Sequence, residues 1–196
     1  SVNNLEGFGT DTSVLVAADV SGSMFTTISP KSSVMNYDIG ILLSMLLKSK
    51  CSSVISGMFG ESWKVLNLPQ ENILANTIEM KSREGEVGYS TNGYKVIDYL
   101  VDNNIRMDKV MMFTDMQMWD STCRDNQIQK SWAKYRQMYP EAKLYLFDLQ
   151  GYGQVPVRLV GDEVTLIAGW SDKVFDVLDA VEKGADVLDL IKNTEI

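Results

Sequence analysis

The chain has 196 residues, 45% of them hydrophobic and 22% charged, which is enough to bury one sizeable core. It contains no histidine, so Ser-His and Cys-His catalytic pairs are excluded and the commonest transition-metal ligand is missing. A net charge of -8, from 26 acidic and 18 basic residues, disfavours a non-specific nucleic-acid platform.

Residues 1–12 read as a polar leader with no basic start, so no secretory signal is expected. The opening Ser reads as the mark of a piece cut from a longer protein. Residues 13–18 form a short apolar run rich in β-branched side chains, as expected of a strand buried on both faces. Residues 34–50 have the length and composition of an interior helix. Their longest apolar stretch, 39–47, is far too short to span a membrane. The runs 53–59 and 62–67 flank Gly60-Glu61, which predicts a hairpin and one antiparallel edge strand. An exposed helix is expected over 70–83, a loop over 84–90 and a second clear helix over 92–103. A buried strand follows at 108–114, ending at Asp115, and then a helix over 122–139 stopped by Pro140. Strands are expected at 143–147 and 164–168, and a final helix or helix pair over 171–192 carries an apolar stripe through Val174, Phe175, Leu178 and Val181.

Alternation of this kind implies a mostly parallel sheet with helices on both faces. No repeat or credible linker interrupts it, so residues 1–196 are read as one domain, with 184–196 as a C-terminal helical extension. Cys51 and Cys123 are too few for a disulfide framework and lack a CxxC partner, which fits a cytoplasmic protein.

Three segments carry chemistry. Asp19-Val20-Ser21-Gly22-Ser23 follows the first buried strand, where the carboxyl ends of an open α/β sheet form a ligand crevice. Its carboxylate and two hydroxyls are hard oxygen donors that suit Mg²⁺, Mn²⁺ or Ca²⁺. Thr91 precedes the helix expected from Asn92 and, taken alone, reads as an N-cap. Asp115 closes the strand before it, where a lone Asp also reads as a turn residue. All three segments fall on one edge of the expected sheet.

Asp-Val-Ser-Gly-Ser-Met (19–24), Ser-Thr-Asn (90–92) and Phe-Thr-Asp (113–115) resemble the metal-ion-dependent adhesion site of von Willebrand factor A domains. The resemblance implies a three-layer Rossmann-like α/β fold and a divalent cation, Mg²⁺ first. It also implies that Ser21, Ser23 and Thr91 contact the metal directly, and Asp19 and Asp115 directly or through water. A carboxylate or phosphate of a protein or nucleic-acid partner then completes the coordination.

Gly169-Trp-Ser-Asp-Lys-Val-Phe175 is similar to the closing segment of the A domain in Ro-type (TROVE) ribonucleoproteins. That likeness implies a parent in which an upstream helical-repeat ring binds small structured RNA. Such relatives carry Gly and Asp where Ser90 and Asn92 stand here. Met24, Asn92, Met116 and Trp119 are candidates for a partner-binding rim beside the site.

A binding module is expected rather than an enzyme. Haloacid-dehalogenase-like phosphatases need a second carboxylate two residues after their nucleophile, and that position is Ser21 here. Chelatase-type and adhesin-type A domains are the other settings for the same motifs.

Overall fold

The structure is a computed structural model that describes residues 11–116, 127–151 and 163–169. Its sheet contains β1 (Ser13–Asp19), β2 (Ser53–Phe59), β3 (Trp63–Val65), β4 (Lys109–Thr114), β5 (Lys143–Asp148) and β6 (Val164–Ala168). The strands lie in the order β3-β2-β1-β4-β5-β6. All neighbours pair in parallel except β2 and β3, which form the expected antiparallel edge hairpin. The described helices are α1 (Asn36–Lys50), α2 (Ile73–Ser82), α3 (Tyr94–Asp102) and α4 (Gln127–Met138).

Strand alternation sorts the side chains into two cores. Val14, Val16 and Ala18 of β1, Met111 and Phe113 of β4, and Tyr145 and Phe147 of β5 pack under α1 and Met80 of α2. Leu15, Ala17, Val110, Met112, Leu144 and Leu146 face the other way, against Val96, Ile97 and Leu100 of α3 and Trp132 and Tyr135 of α4. The central strands are therefore apolar along their middles, with polar residues only at their ends, because both of their faces are covered. Phe113 and Phe147 stack across β4 and β5 with centroids 4.3 Å apart. Burying each such ring contributes about 2–3 kcal/mol.

Helix α1 is apolar almost all round because it lies between the sheet and α2, touching β1, β4 and α2. Helix α2 is shorter than the 70–83 expected and only half exposed. Asn76, Thr77 and Met80 are buried, whereas Leu74 and Ile78 are 71% and 61% exposed. Helix α3 begins at Tyr94 with Gly93 as its N-cap, so Thr91 is not the cap that its sequence position suggested. Among the described residues no helix is long and apolar enough to cross a membrane. The polar leader through residue 10, the first turn of the 122–139 helix, Trp119, Cys123, the segment 170–175, the final helix and the 184–196 extension lie outside the described residues.

From β1 the chain moves to β2 on one side, while β4 lies on the other. The strand order thus reverses between β1 and β4, and the carboxyl ends of these two strands flank the crevice.

Candidate metal centre

Asp19 ends β1 and is fully buried. Its Oδ1 accepts the Ser21 backbone N–H at 2.9 Å, and its Oδ2 accepts the Thr114 hydroxyl at 2.7 Å. One carboxylate therefore orients the loop after β1 and ties it to the end of β4. Burial pushes the Asp19 carboxyl up to about 7; hydrogen bonds from Ser21 and Thr114 pull it down, and the neighbouring charge of Asp115 raises it further.

Ser21 is extended, with φ -67° and ψ 167°, but the chain then enters a 3-10 turn over Gly22–Phe25. The loop is therefore extended only as far as Ser21, and Ser23 lies inside the turn. Turn closure, by the Met24 N–H on the Ser21 carbonyl at 3.1 Å, brings the Ser21 and Ser23 hydroxyls within 3.3 Å of each other. The buried Met24 anchors the turn in the α1-side core.

Thr91, 9% exposed, reaches the same edge through a brace of backbone contacts. The Gly22 N–H donates to the Tyr89 carbonyl at 2.8 Å, and the Asn92 N–H donates to the Gly60 carbonyl at 2.9 Å. The Asn92 side chain donates to the Glu61 carbonyl, and the Ser62 N–H to the Val87 carbonyl. The tip of the β2–β3 hairpin thus holds the Thr91 loop against the Ser21 loop. The fit is close: a Cβ on Gly60 would lie 2.2 Å from the Gly88 carbonyl oxygen.

Asp115 follows β4 and is 1% exposed, near enough to Asp19 for its charge to be felt. Met116 then turns the backbone away at φ 63°, its N–H donating to the Thr114 hydroxyl at 3.1 Å. Its side chain packs into the core against α3 and α4. Met24 and Met116 are buried, so neither lines an exposed rim, whereas Asn92 is half-buried and its Nδ2 donates to the Glu61 carbonyl.

Sequence reasoning missed Thr114 and Tyr89. Alternation held the signal for the first. Asp19 and Thr114 both lie two residues beyond the paired Ala17 and Met112, on one face of adjacent strands. No local pattern marks Tyr89, because its role runs through its backbone carbonyl.

The donor chemistry fits a hard divalent cation. Among the described residues no three of His, Cys, Asp or Glu gather as a metal cluster; the candidate donors are the carboxylates of Asp19 and Asp115 and the hydroxyls of Ser21, Ser23 and Thr91. Two adjacent ligands of octahedral Mg²⁺ lie about 3 Å apart, close to the Ser21–Ser23 separation.

No family model matches the chain, and no curated protein matches it in sequence. Among solved structures its fold is similar to that of the Ro (RSR) protein of Deinococcus radiodurans, with a TM-score of 0.69 and 16% identity over 90% of this chain. The chain spans 35% of the length of that protein. It is also similar to the manganese-loaded TRAP protein of Plasmodium vivax, with a TM-score of 0.51 and 12% identity over 89% of this chain and 73% of that one. The strand order, the antiparallel edge and these likenesses agree: the chain has the von Willebrand factor A-type fold, in a form resembling that of a Ro protein.

Proposed function

We propose that this chain is a metal-dependent docking module and not an enzyme. Asp19, Ser21, Ser23, Thr91 and Asp115 hold a divalent cation, Mg²⁺ first, with Mn²⁺ or Ca²⁺ as substitutes. The observation that carries the reading is the pair of serine hydroxyls 3.3 Å apart beside a fully buried carboxylate. Asp19 orients Ser21 and Thr114 through its two oxygens, and Asp115 adds a second negative charge. A bound cation supplies a positive centre whose remaining coordination positions a carboxylate or phosphate of a partner fills. The similarity to a manganese-loaded protein supports a cation, and the likeness to a Ro protein supports a parent ribonucleoprotein. In such a parent, helical repeats outside this chain would hold the small structured RNA, in the cytoplasm.

Thermal denaturation tests the reading. Saturating Mg²⁺ or Mn²⁺ should raise the melting temperature by about 5–10 °C, the size expected of a ligand at a hundredfold its dissociation constant. Asp19→Ala and Ser21→Ala should abolish the rise while circular dichroism stays folded. A rise of undiminished size in both folded variants would remove these residues from the site.

A further inference from the structure

Tyr89 stands at the lip of the candidate metal centre. Its carbonyl is committed to the Gly22 N–H, yet the residue is 53% exposed. The ring is not loose. Phe25, from the same 3-10 turn as Ser23, meets it edge-on with centroids 6.1 Å apart and stacks on Tyr37 at 4.7 Å. Three aromatic rings therefore run from the α1-side core out to the site, and Tyr89 is the most exposed of them.

A carboxylate accompanies that ring. Tyr89 Oη lies 3.5 Å from Glu84 Oε1, and among the described residues no lysine or arginine pairs with Glu84. Its neighbour Glu86, by contrast, is held by Lys64 and Arg83. The Tyr37 hydroxyl, on a side chain 3% exposed, has no hydrogen-bond partner among the described residues. Burial and the charge of Glu84 push that hydroxyl up to about 12, which places Glu84 within electrostatic reach of both tyrosines.

Resting on the docking function above, we infer that Tyr89 and Glu84 form a second subsite, for a cationic side chain, so that the partner is a peptide with Arg or Lys close to its docking Asp or Glu. An exposed ring face attracts a cation through its quadrupole, and an adjacent carboxylate adds charge and hydrogen-bond acceptors. Arginine suits the pair because its flat guanidinium stacks on a ring while its edge donates. A nucleic-acid segment fits poorly here, since Glu84 repels the phosphates flanking the one that docks. The subsite also supplies selectivity, because a lone carboxylate on a metal discriminates little among acidic partners.

The probes are peptides Ac-Asp-(Gly)n-Xaa-NH2 with zero, one or two glycines and Xaa as Arg, Leu or Glu, titrated by NMR in saturating Mg²⁺. The best Arg peptide should bind about fivefold tighter than its Leu counterpart, with the Glu peptide weakest. Glu84→Gln should erase most of that preference and leave the Mg²⁺-induced rise in melting temperature unchanged. Tyr89→Leu should reduce it while Tyr89→Phe keeps it. Equal binding of Arg and Leu peptides, or no peptide binding beside a normal Mg²⁺ response, overturns the subsite alone. Loss of the Mg²⁺ response in the parent protein overturns the docking function on which it rests. A short oligonucleotide that binds tighter than every peptide and depends on Tyr89 also overturns the peptide assignment.

Discussion

Asp19 is sealed from water, and at neutral pH its burial works against its charge. Its carboxyl sits at about 7 when folded against 3.8 unfolded, so the folded state holds a proton that the unfolded state has released. The contribution to stability is fully present below 3.8 and is lost as pH rises through about 7. At about 1.4 kcal/mol per unit this amounts to a few kcal/mol. The metal-free protein should therefore lose urea resistance between pH 5 and pH 8 relative to Asp19→Asn, which has no proton to lose there. On the proposed function, a divalent cation should reverse the trend, because it favours the ionised carboxylate. Its stabilisation should grow over the same interval in the parent protein and stay flat in the variant. Urea midpoints at several pH values, with and without Mg²⁺, check both parts, and parallel curves for the two proteins would contradict them. The grouping of Asp19, Ser21 and Ser23 in the candidate site was legible, since they occur in one short motif. Thr114 was not singled out, because its bond to Asp19 joins strands 95 positions apart in the chain.

At the scale of elements, the buried strands were the most readable. Apolar runs read as β1 and β4 because sheet burial on two faces leaves no polar alternation to confuse the reading. Helix starts were less readable. Thr91 has the chemistry of a cap, but the hairpin tip pulls it out of the helix through the Asn92–Gly60 bond, and α3 starts later. That brace suggests a separable experiment on two glycines of the β2–β3 hairpin. A Cβ on Gly57 would lie 2.2 Å from the Lys64 carbonyl oxygen, inside the hairpin, whereas one on Gly60 would strike the Gly88 carbonyl oxygen, in the loop that carries Thr91. Both alanine variants should destabilise by about 1–3 kcal/mol, the usual effect of an overpacked contact. Gly60→Ala should also shrink the Mg²⁺-induced rise in melting temperature, because it moves Thr91 away from Ser21. Gly57→Ala should leave that rise intact. Equal responses to Mg²⁺ in the two variants would mean that the hairpin tip does not position the site.

For the whole molecule, the sign of the charge separates two ways in which a domain can serve a partner: by gripping RNA over its surface or by docking one acidic group. With 26 acidic residues against 18 basic ones, this chain repels a phosphate backbone at long range. A domain that gripped RNA over its surface would need clustered Lys and Arg, and its affinity would fall steeply with salt as counterions are released. A domain that docks one acidic group on a cation has no such requirement. Its own charge opposes the approach of an acidic partner, and salt relieves that opposition by screening beyond roughly 8–10 Å. The two architectures therefore predict opposite slopes. The isolated chain should retain no small structured RNA in a gel shift at physiological salt, at protein concentrations on the order of 10 µM where basic non-specific binders do. An acidic peptide docked in Mg²⁺ should bind with an affinity that holds steady or rises as NaCl increases. Tight RNA retention that weakens with salt would move the nucleic-acid contact onto this chain and displace the docking function.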